Sequence, residues 1–266
     1  MNLKVITLLV LTLAGPLMAA AAGDVHSSDI CAGFESGNVA GDNLLVIVNK
    51  DNENKLQRSW APKDLVYFKN DKSDMISPAA KGVPQALRKE AYNAVIAMFE
   101  AAKREGHTLY VHSSYRSYED QCLTFRSKIS KWSGKFGKEA GLDYARKSSA
   151  EPGRSQHQLG TTLDITVASV KNSSGVPTFS FEMTRAKEYI WLQENAHRFG
   201  YVLSYPWADD DHDKLGYNNR TRYYYEPWHW RYIGVEAATD FYERNRQAST
   251  SGANIVLDEY LSRLLR

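Results

Sequence analysis

The side chains best suited to chemistry in this chain are a small set of imidazoles and carboxylates. Seven histidines are available: His26, His107, His112, His157, His197, His212 and His229. Two of them lie in company that could build a metal centre. His157 sits in the run Ser155-Gln156-His157-Gln158-Leu159-Gly160-Thr161-Thr162-Leu163-Asp164, and His229 in Glu226-Pro227-Trp228-His229-Trp230-Arg231-Tyr232. Asp164 falls on the polar face of an apolar, β-branched stretch, where a carboxylate is costly unless it is paired or metal-bound. Gly160, between Asp164 and His157, permits a tight approach of loop to strand. His157, Asp164 and His229 together make an open site for one zinc ion, with the fourth position left for water. Glu226 then stands as the general base beside a water that zinc acidifies to a pKa of about 7. Core histidines packed beside tryptophan, and an Asp paired with an Arg or Lys, form the competing reading. The residues alone leave both open.

Positioning such groups needs a fold, and the hydrophobic pattern sketches one. Residues 44–48 read as a buried strand. Over residues 84–105, Leu87, Ala91, Val95, Met98 and Ala102 share one helical face, Pro84 suits a first turn, and Gly106 ends the pattern. Residues 108–113 read as a strand. Ser117 and Asp120 have capping-box spacing for a second helix reaching about Trp132, and residues 138–147 form a weaker one. Residues 161–167 alternate, with Thr161, Leu163, Ile165 and Val167 on one face and Thr162, Asp164 and Thr166 on the other. Thr184 reads as the cap of a helix running through Phe199 and closed by Gly200. Residues 201–205 and 228–233 read as strands, and residues 235–246 as a helix. A polar break near Ser249 precedes a short amphipathic tail. Strands and helices mix without βαβ alternation, which predicts an α+β fold.

Bulk properties narrow the partners. The chain has 266 residues, 43% of them hydrophobic, enough for one sizeable core and unlike a disordered or collagen-like chain. Lys and Arg number 33 against 31 Asp and Glu, with no long basic run, so no nucleic-acid partner is expected. At the start, Lys4, an apolar stretch over 5–17 and the alanines 19–22 read as a secretory signal peptide over residues 1–22. The apolar run is short for a membrane span. The expectation is an exported protein of the periplasm, the extracellular space or the cell envelope, with no stable membrane insertion after signal cleavage. Residues 23–43 read as a Gly-, Ser- and Asp-rich lead-in, 44–247 as one catalytic domain and 248–266 as a tail. Export would allow Cys31 and Cys122 to pair; the spacing is equally consistent with two free thiols.

Taken in order, these segments resemble a known family. Ser-x-His-x-x-Gly-x-x-x-Asp (155–164) followed by Glu-x-Trp-His-x-x-Tyr (226–232) is similar to the zinc D-alanyl-D-alanine carboxypeptidases of bacterial cell walls, the VanY-like group that includes L,D-carboxypeptidases. Val48-Asn49-Lys50 with Trp60-Ala61-Pro62-Lys63-Asp64-Leu65, Ser114-Tyr115-Arg116-Ser117-Tyr118 with Gln121, and residues 200–206 resemble further motifs of that group. The likeness spans roughly residues 44–246. It implies a small, mostly antiparallel sheet with packed helices, of the D,D-peptidase/hedgehog type. It also implies zinc held by His157, Asp164 and His229, with Glu226 as base. Arg116 would hold the substrate at its terminal carboxylate or developing oxyanion, with Ser155 and Gln121 as further substrate contacts. The implied substrate is the peptidoglycan stem peptide, losing its C-terminal D-alanine by D,D or L,D cleavage. Alternatives with the same site are an endopeptidase and a non-catalytic wall-binding module. The oligomeric state is left open. Thr162 departs from the family's usual Ala, Ser204 from a common basic residue, and residues 207–225 run longer.

Overall fold

The computed structural model describes residues 29–208, 215–248 and 254–266. Residues 1–22, read above as a signal peptide, and the acidic run 209–213 lie outside the described residues. Four strands form the central antiparallel sheet: β3 (Leu109–Ser113), β4 (Thr162–Val167), β5 (Tyr201–Leu203) and β6 (His229–Tyr232), in the order β3-β4-β6-β5. A two-stranded antiparallel ribbon, β1 (Leu65–Tyr67) with β2 (Ala86–Arg88), stands beside it. Helices α1 (Lys89–Arg104), α2 (Tyr118–Phe136), α3 (Lys138–Ser148), α4 (Lys187–Asn195), α5 (Val235–Ala248) and α6 (Leu257–Leu264) pack around these sheets. The fold is α+β, as the pattern predicts. Among the described residues no helix is long and apolar enough to cross a membrane.

Burial explains the sheet. β4 lies in the middle and every one of its residues is buried, on both faces. Its apolar face, Leu163, Ile165 and Val167, joins Ala91, Val95, Met98 and Ala102 of α1 in the main core, and the Tyr201 hydroxyl donates to the Ala91 carbonyl at 2.6 Å. The opposite face is polar and buried, and Thr162 Oγ1, Asp164 Oδ1 and Thr166 Oγ1 on it have no hydrogen-bond partner among the described residues.

Helix α2 starts where its capping box says it should. The Ser117 hydroxyl accepts from the Asp120 amide while the Asp120 carboxylate accepts from the Ser117 amide. The helix continues one turn past Trp132, to Phe136. Cys122 on this helix is bonded to Cys31, with their Cα atoms 5.5 Å apart. The bond fastens the first described residues to α2 beside Tyr118 and Phe34.

Three expectations are corrected. Residues 44–48 form no strand; Arg231 of β6, fully buried, donates to the carbonyls of Leu44 at 3.0 Å and Val46 at 2.6 Å, taking the acceptors that a strand partner would need. Helix α1 begins at Lys89, because Ala86, Leu87 and Arg88 pair with β1. The stretch 184–199 is not one helix: a 3-10 turn Phe181–Arg185, α4 and a second 3-10 turn Ala196–Phe199 follow one another. Thr184 bonds back to the Phe181 carbonyl at 2.7 Å inside the first turn, so it caps nothing. Gly200 does close the segment, with φ +82°.

Helix α6 joins the tail to the body. Leu257, Tyr260 and Leu261 are buried against Val202, Ala238 and Phe241. Asp258 accepts from the Asn49 side-chain amide at 3.0 Å.

Candidate metal centre

Two of the three proposed ligands face each other across a strand pair. Asp164 of β4 and His229 of β6 are direct partners in the antiparallel register. His157 arrives from a 3-10 turn, Gln156–Leu159, that runs straight into β4. Ser155 caps this turn, its buried hydroxyl accepting from the His157 amide at 3.3 Å. Gly160 ends it with φ +67°, and a Cβ there would lie 3.0 Å from Pro62 Cγ and 3.1 Å from Arg88 Cγ. The backbone angle favours glycine, and a side chain there would also have to push these neighbours aside. The turn is fastened to the chain before it by Gln158, whose side-chain amide donates to the carbonyls of Gln57 and Trp60.

The three side chains converge. His157 Nε2 lies 3.3 Å from Asp164 Oδ2, and His229 Nδ1 lies 3.3 Å from Asp164 Oδ1. One ligand atom from each residue falls within 4.8 Å of the other two. The imidazole planes cross at 82°. All three residues are buried.

Hydrogen bonds on the outer side of each ring set its tautomer. His157 Nδ1 is 2.6 Å from the Ser114 carbonyl oxygen, which can only accept, so Nδ1 carries the proton and Nε2 keeps its lone pair. His229 Nε2 is 3.2 Å from Gln156 Oε1, and Ser204 Oγ donates to the same oxygen at 2.8 Å. With Oε1 accepting twice, His229 presents the Nδ1 lone pair inward. Burial, aided by the nearby Arg116, lowers the His157 pKa to about 4, so its ring is neutral. Asp164 Oδ1 is buried without a hydrogen-bond partner. Two inward lone pairs and an unpaired carboxylate oxygen repel one another unless a cation sits between them. The residues therefore fit zinc, whose usual donors are imidazole nitrogen and carboxylate oxygen.

Glu226 stands at the rim of this cluster, its Oε2 3.5 Å from His229 Nδ1. Pro227 makes a turn here, and the His229 amide donates to the Glu226 carbonyl at 3.1 Å. This turn sets the base and the ligand on the same side despite their odd spacing. Burial raises the Glu226 carboxyl to about 7, against the pull of His229, Lys128 and Arg116.

Arg116 lies between β3 and α2. Its backbone amide donates to the His157 carbonyl at 3.3 Å, tying the arginine loop to the metal turn. Its Nε is buried and unpartnered. Gln121 sits deeper: its Nε2 donates to the Ala150 carbonyl at 2.6 Å, and its Oε1 has no partner. Ser155 and Gln121 thus each make a scaffolding bond to the backbone. Thr162 brings a buried hydroxyl without a partner.

One residue with a direct bond to a ligand was not singled out by sequence reasoning. Gln156 is marked only by adjacency to His157, and its bond to His229 depends on a strand more than 70 residues away.

Known proteins resemble this chain over the segments that build the site. The family model of VanY, D-alanyl-D-alanine carboxypeptidase, matches residues 84–235, which include every site residue named above. YodJ of Bacillus subtilis is 34% identical over 201 residues, 74% of this chain and 62% of its own length. The chain thus spans less than two thirds of that relative. The solved structure of the LdcB LD-carboxypeptidase superposes with a TM-score of 0.60 at 29% identity, covering 84% of this chain and 87% of its own. A vancomycin-resistance D,D-pentapeptidase VanY in complex with Zn(II) superposes with a TM-score of 0.54 at 26% identity, covering 82% and 98%.

Proposed function

We propose, from the premise that the chain belongs to the VanY family of D-alanyl-D-alanine carboxypeptidases, that it is a zinc-dependent carboxypeptidase. Its substrate in this reading is the peptidoglycan stem peptide, from which it removes the C-terminal D-alanine. The observation that carries the reading is the buried His157–Asp164–His229 cluster, with both lone pairs turned inward and Glu226 at its rim. The Zn(II) complex of the related VanY supports the choice of metal.

In this mechanism zinc held by His157, Asp164 and His229 supplies Lewis-acid polarisation and an acidified water. Glu226 takes the proton of the attacking water and delivers it to the departing amine nitrogen. A carboxyl raised towards neutrality suits both halves of that task. Arg116 offers a guanidinium fork to a substrate oxygen, at the terminal carboxylate or at the carbonyl oxygen where charge develops. Gln156 and Ser114 hold the imidazoles in the tautomers that the ligands require. The site acts outside the cytoplasm in this proposal, and the Cys31–Cys122 bond supports an oxidising compartment.

Mass spectrometry of tetra- and pentapeptide muropeptides, incubated with and without a chelator, tests the reading. Chelator-sensitive loss of one alanine is expected. Loss from the pentapeptide alone means D,D cleavage, and loss from the tetrapeptide means L,D cleavage. Cleavage of cross-linked dimers without release of a terminal residue would mean an endopeptidase. Binding of muropeptides with no product at all would mean a wall-binding module and would overturn the proposal. Full activity in Glu226→Ala would remove the role given to that residue.

A further inference from the structure

The ring of His229 rests on more than its hydrogen bond to Gln156. Tyr205 packs against it, with ring centroids 4.6 Å apart, and the Tyr205 carbonyl accepts from the Glu226 amide at 3.2 Å. One tyrosine thus touches both a ligand and the base. Tyr205 packs in turn against Tyr223, with centroids 4.5 Å apart, and both rings are buried. Lys50 forms the last layer of this stack, its Nζ 3.9 Å from the centre of the Tyr223 ring. The same Nζ donates to the Arg146 carbonyl, in the last turn of α3, at 2.7 Å, and to the Arg222 carbonyl.

Arg222 is where this grip matters. At +62° it is the only non-glycine residue with positive φ among the described residues. A residue with a side chain adopts that conformation at a cost, and keeps it where its surroundings over-determine it. Three contacts do so here. The Arg222 amide donates to the Asn218 carbonyl at 2.6 Å, its guanidinium pairs with Asp51 at 2.7 Å, and its carbonyl takes the bond from Lys50. Of the three, the Lys50 contact also reaches Tyr223, the next residue. The Tyr224 amide then donates to the Lys147 carbonyl at 2.9 Å, and the chain arrives at Glu226. Without Lys50 the Arg222 peptide can relax and the Tyr223 ring loses its outer support, which leaves Tyr205 less firmly set. We propose that Lys50 is a positioning residue for the metal centre, acting through the Arg222 turn and the Tyr223–Tyr205 stack on the His229 ring and the Glu226 backbone. The effect on Glu226 rests on the carboxypeptidase reading; the effect on His229 rests on its place as a zinc ligand.

The test uses wild type, Lys50→Met, and Lys50→Met combined with Arg222→Gly. Methionine keeps most of the length of the side chain and removes its donors. Glycine adopts positive φ without the steric cost, so it should hold the turn when Lys50 no longer does. On tetra- and pentapeptide muropeptides, zinc-saturated Lys50→Met should lose at least ~10-fold in kcat through misplacement of the reacting groups. KM should change less than ~3-fold, because an interaction felt only in the transition state lowers kcat and kcat/KM together. Zinc should bind about 10-fold more weakly, the low end of what loss of outer support costs, and the visible spectrum of the cobalt(II)-substituted protein should shift. Arg222→Gly should return at least ~3-fold of the lost kcat. Urea unfolding reports that each variant is folded, and a residue that only stabilised the chain would move this midpoint alone. Wild-type kcat, zinc affinity and cobalt spectrum in folded Lys50→Met would overturn the assignment, as would a loss that Arg222→Gly leaves untouched. If wild type released no terminal residue, the carboxypeptidase reading would fall, and zinc affinity with the cobalt spectrum would still decide whether Lys50 positions His229.

Discussion

Replacing Gln156 by methionine removes the one acceptor that fixes His229. Oε1 takes hydrogen bonds from His229 Nε2 at 3.2 Å and from Ser204 Oγ at 2.8 Å, with all three residues buried. Methionine has similar length and volume and offers neither group a good acceptor. The His229 ring is then free to adopt the tautomer that carries its proton on Nδ1, facing Asp164, where it opposes a cation. Loss of such an outer partner typically weakens metal binding 10–100-fold, or about 1.4–2.8 kcal/mol. The stranded Ser204 hydroxyl, 2% exposed, adds a separate cost of about 1–3 kcal/mol to the stability of the folded chain, with or without metal. Gln156→Glu keeps an acceptor in place and makes it charged, so zinc affinity should be retained or raised. Ser204→Ala should have a smaller effect on zinc than Gln156→Met, and none when added to it, because the hydroxyl acts only through the amide. Zinc dissociation constants from competition with a chromophoric chelator, and denaturant unfolding of the metal-free proteins, separate the two costs. Wild-type zinc affinity in a folded Gln156→Met protein would refute the reasoning, since the tautomer would then be set by something else.

Other outcomes follow from the same structure. Glu226→Gln should abolish turnover while keeping zinc. The metal-free variant should be more stable than metal-free wild type at pH 8 and not at pH 4. Burial raises this carboxyl from 4.5 to about 7, so the folded state is penalised for ionising it as pH rises through that window; thermal melts at the two pH values read the difference. Cys122→Ser, or full reduction, opens a bond spanning 91 residues and should cost roughly 4 kcal/mol, measured by urea unfolding with and without reductant. Thr162→Val removes a buried hydroxyl with no partner at nearly constant shape and should stabilise the fold by about 1 kcal/mol, read as a higher denaturant midpoint.

What was legible in the sequence was local. The capping box of α2 and the alternation of β4 each depend on neighbours a few residues apart, and both appear in the structure. The histidine and carboxylate runs were also legible, because the ligands sit at the ends of short segments that pair directly. What failed depended on distant chain. Residues 44–48 have the composition of a strand, yet a buried arginine on β6 occupies two of their carbonyls. Residues 86–88 fit the periodicity of α1, and only the presence of β1 draws them into a ribbon. Ser204 is marked in the sequence only as a departure from a common basic residue, and its hydroxyl donates to the side-chain amide of Gln156. Gln156 gains its meaning only once the metal turn and β6 are assembled.

The buried Arg231 has a consequence for how the chain is made. It lies two residues beyond His229, grips the segment at Leu44 and Val46, and is drawn electrostatically to Asp258 of α6. Asn49, just after that segment, bonds the same aspartate. The strand carrying a metal ligand is therefore braced by one stretch made early and another made late. During synthesis or export the early stretch must wait, its carbonyls and apolar side chains unmatched, until β6 and then α6 have emerged. A chain stalled before Leu257 would carry every ligand and both carbonyls that Arg231 grips, and would lack only the carboxylate of Asp258 that faces this arginine from α6.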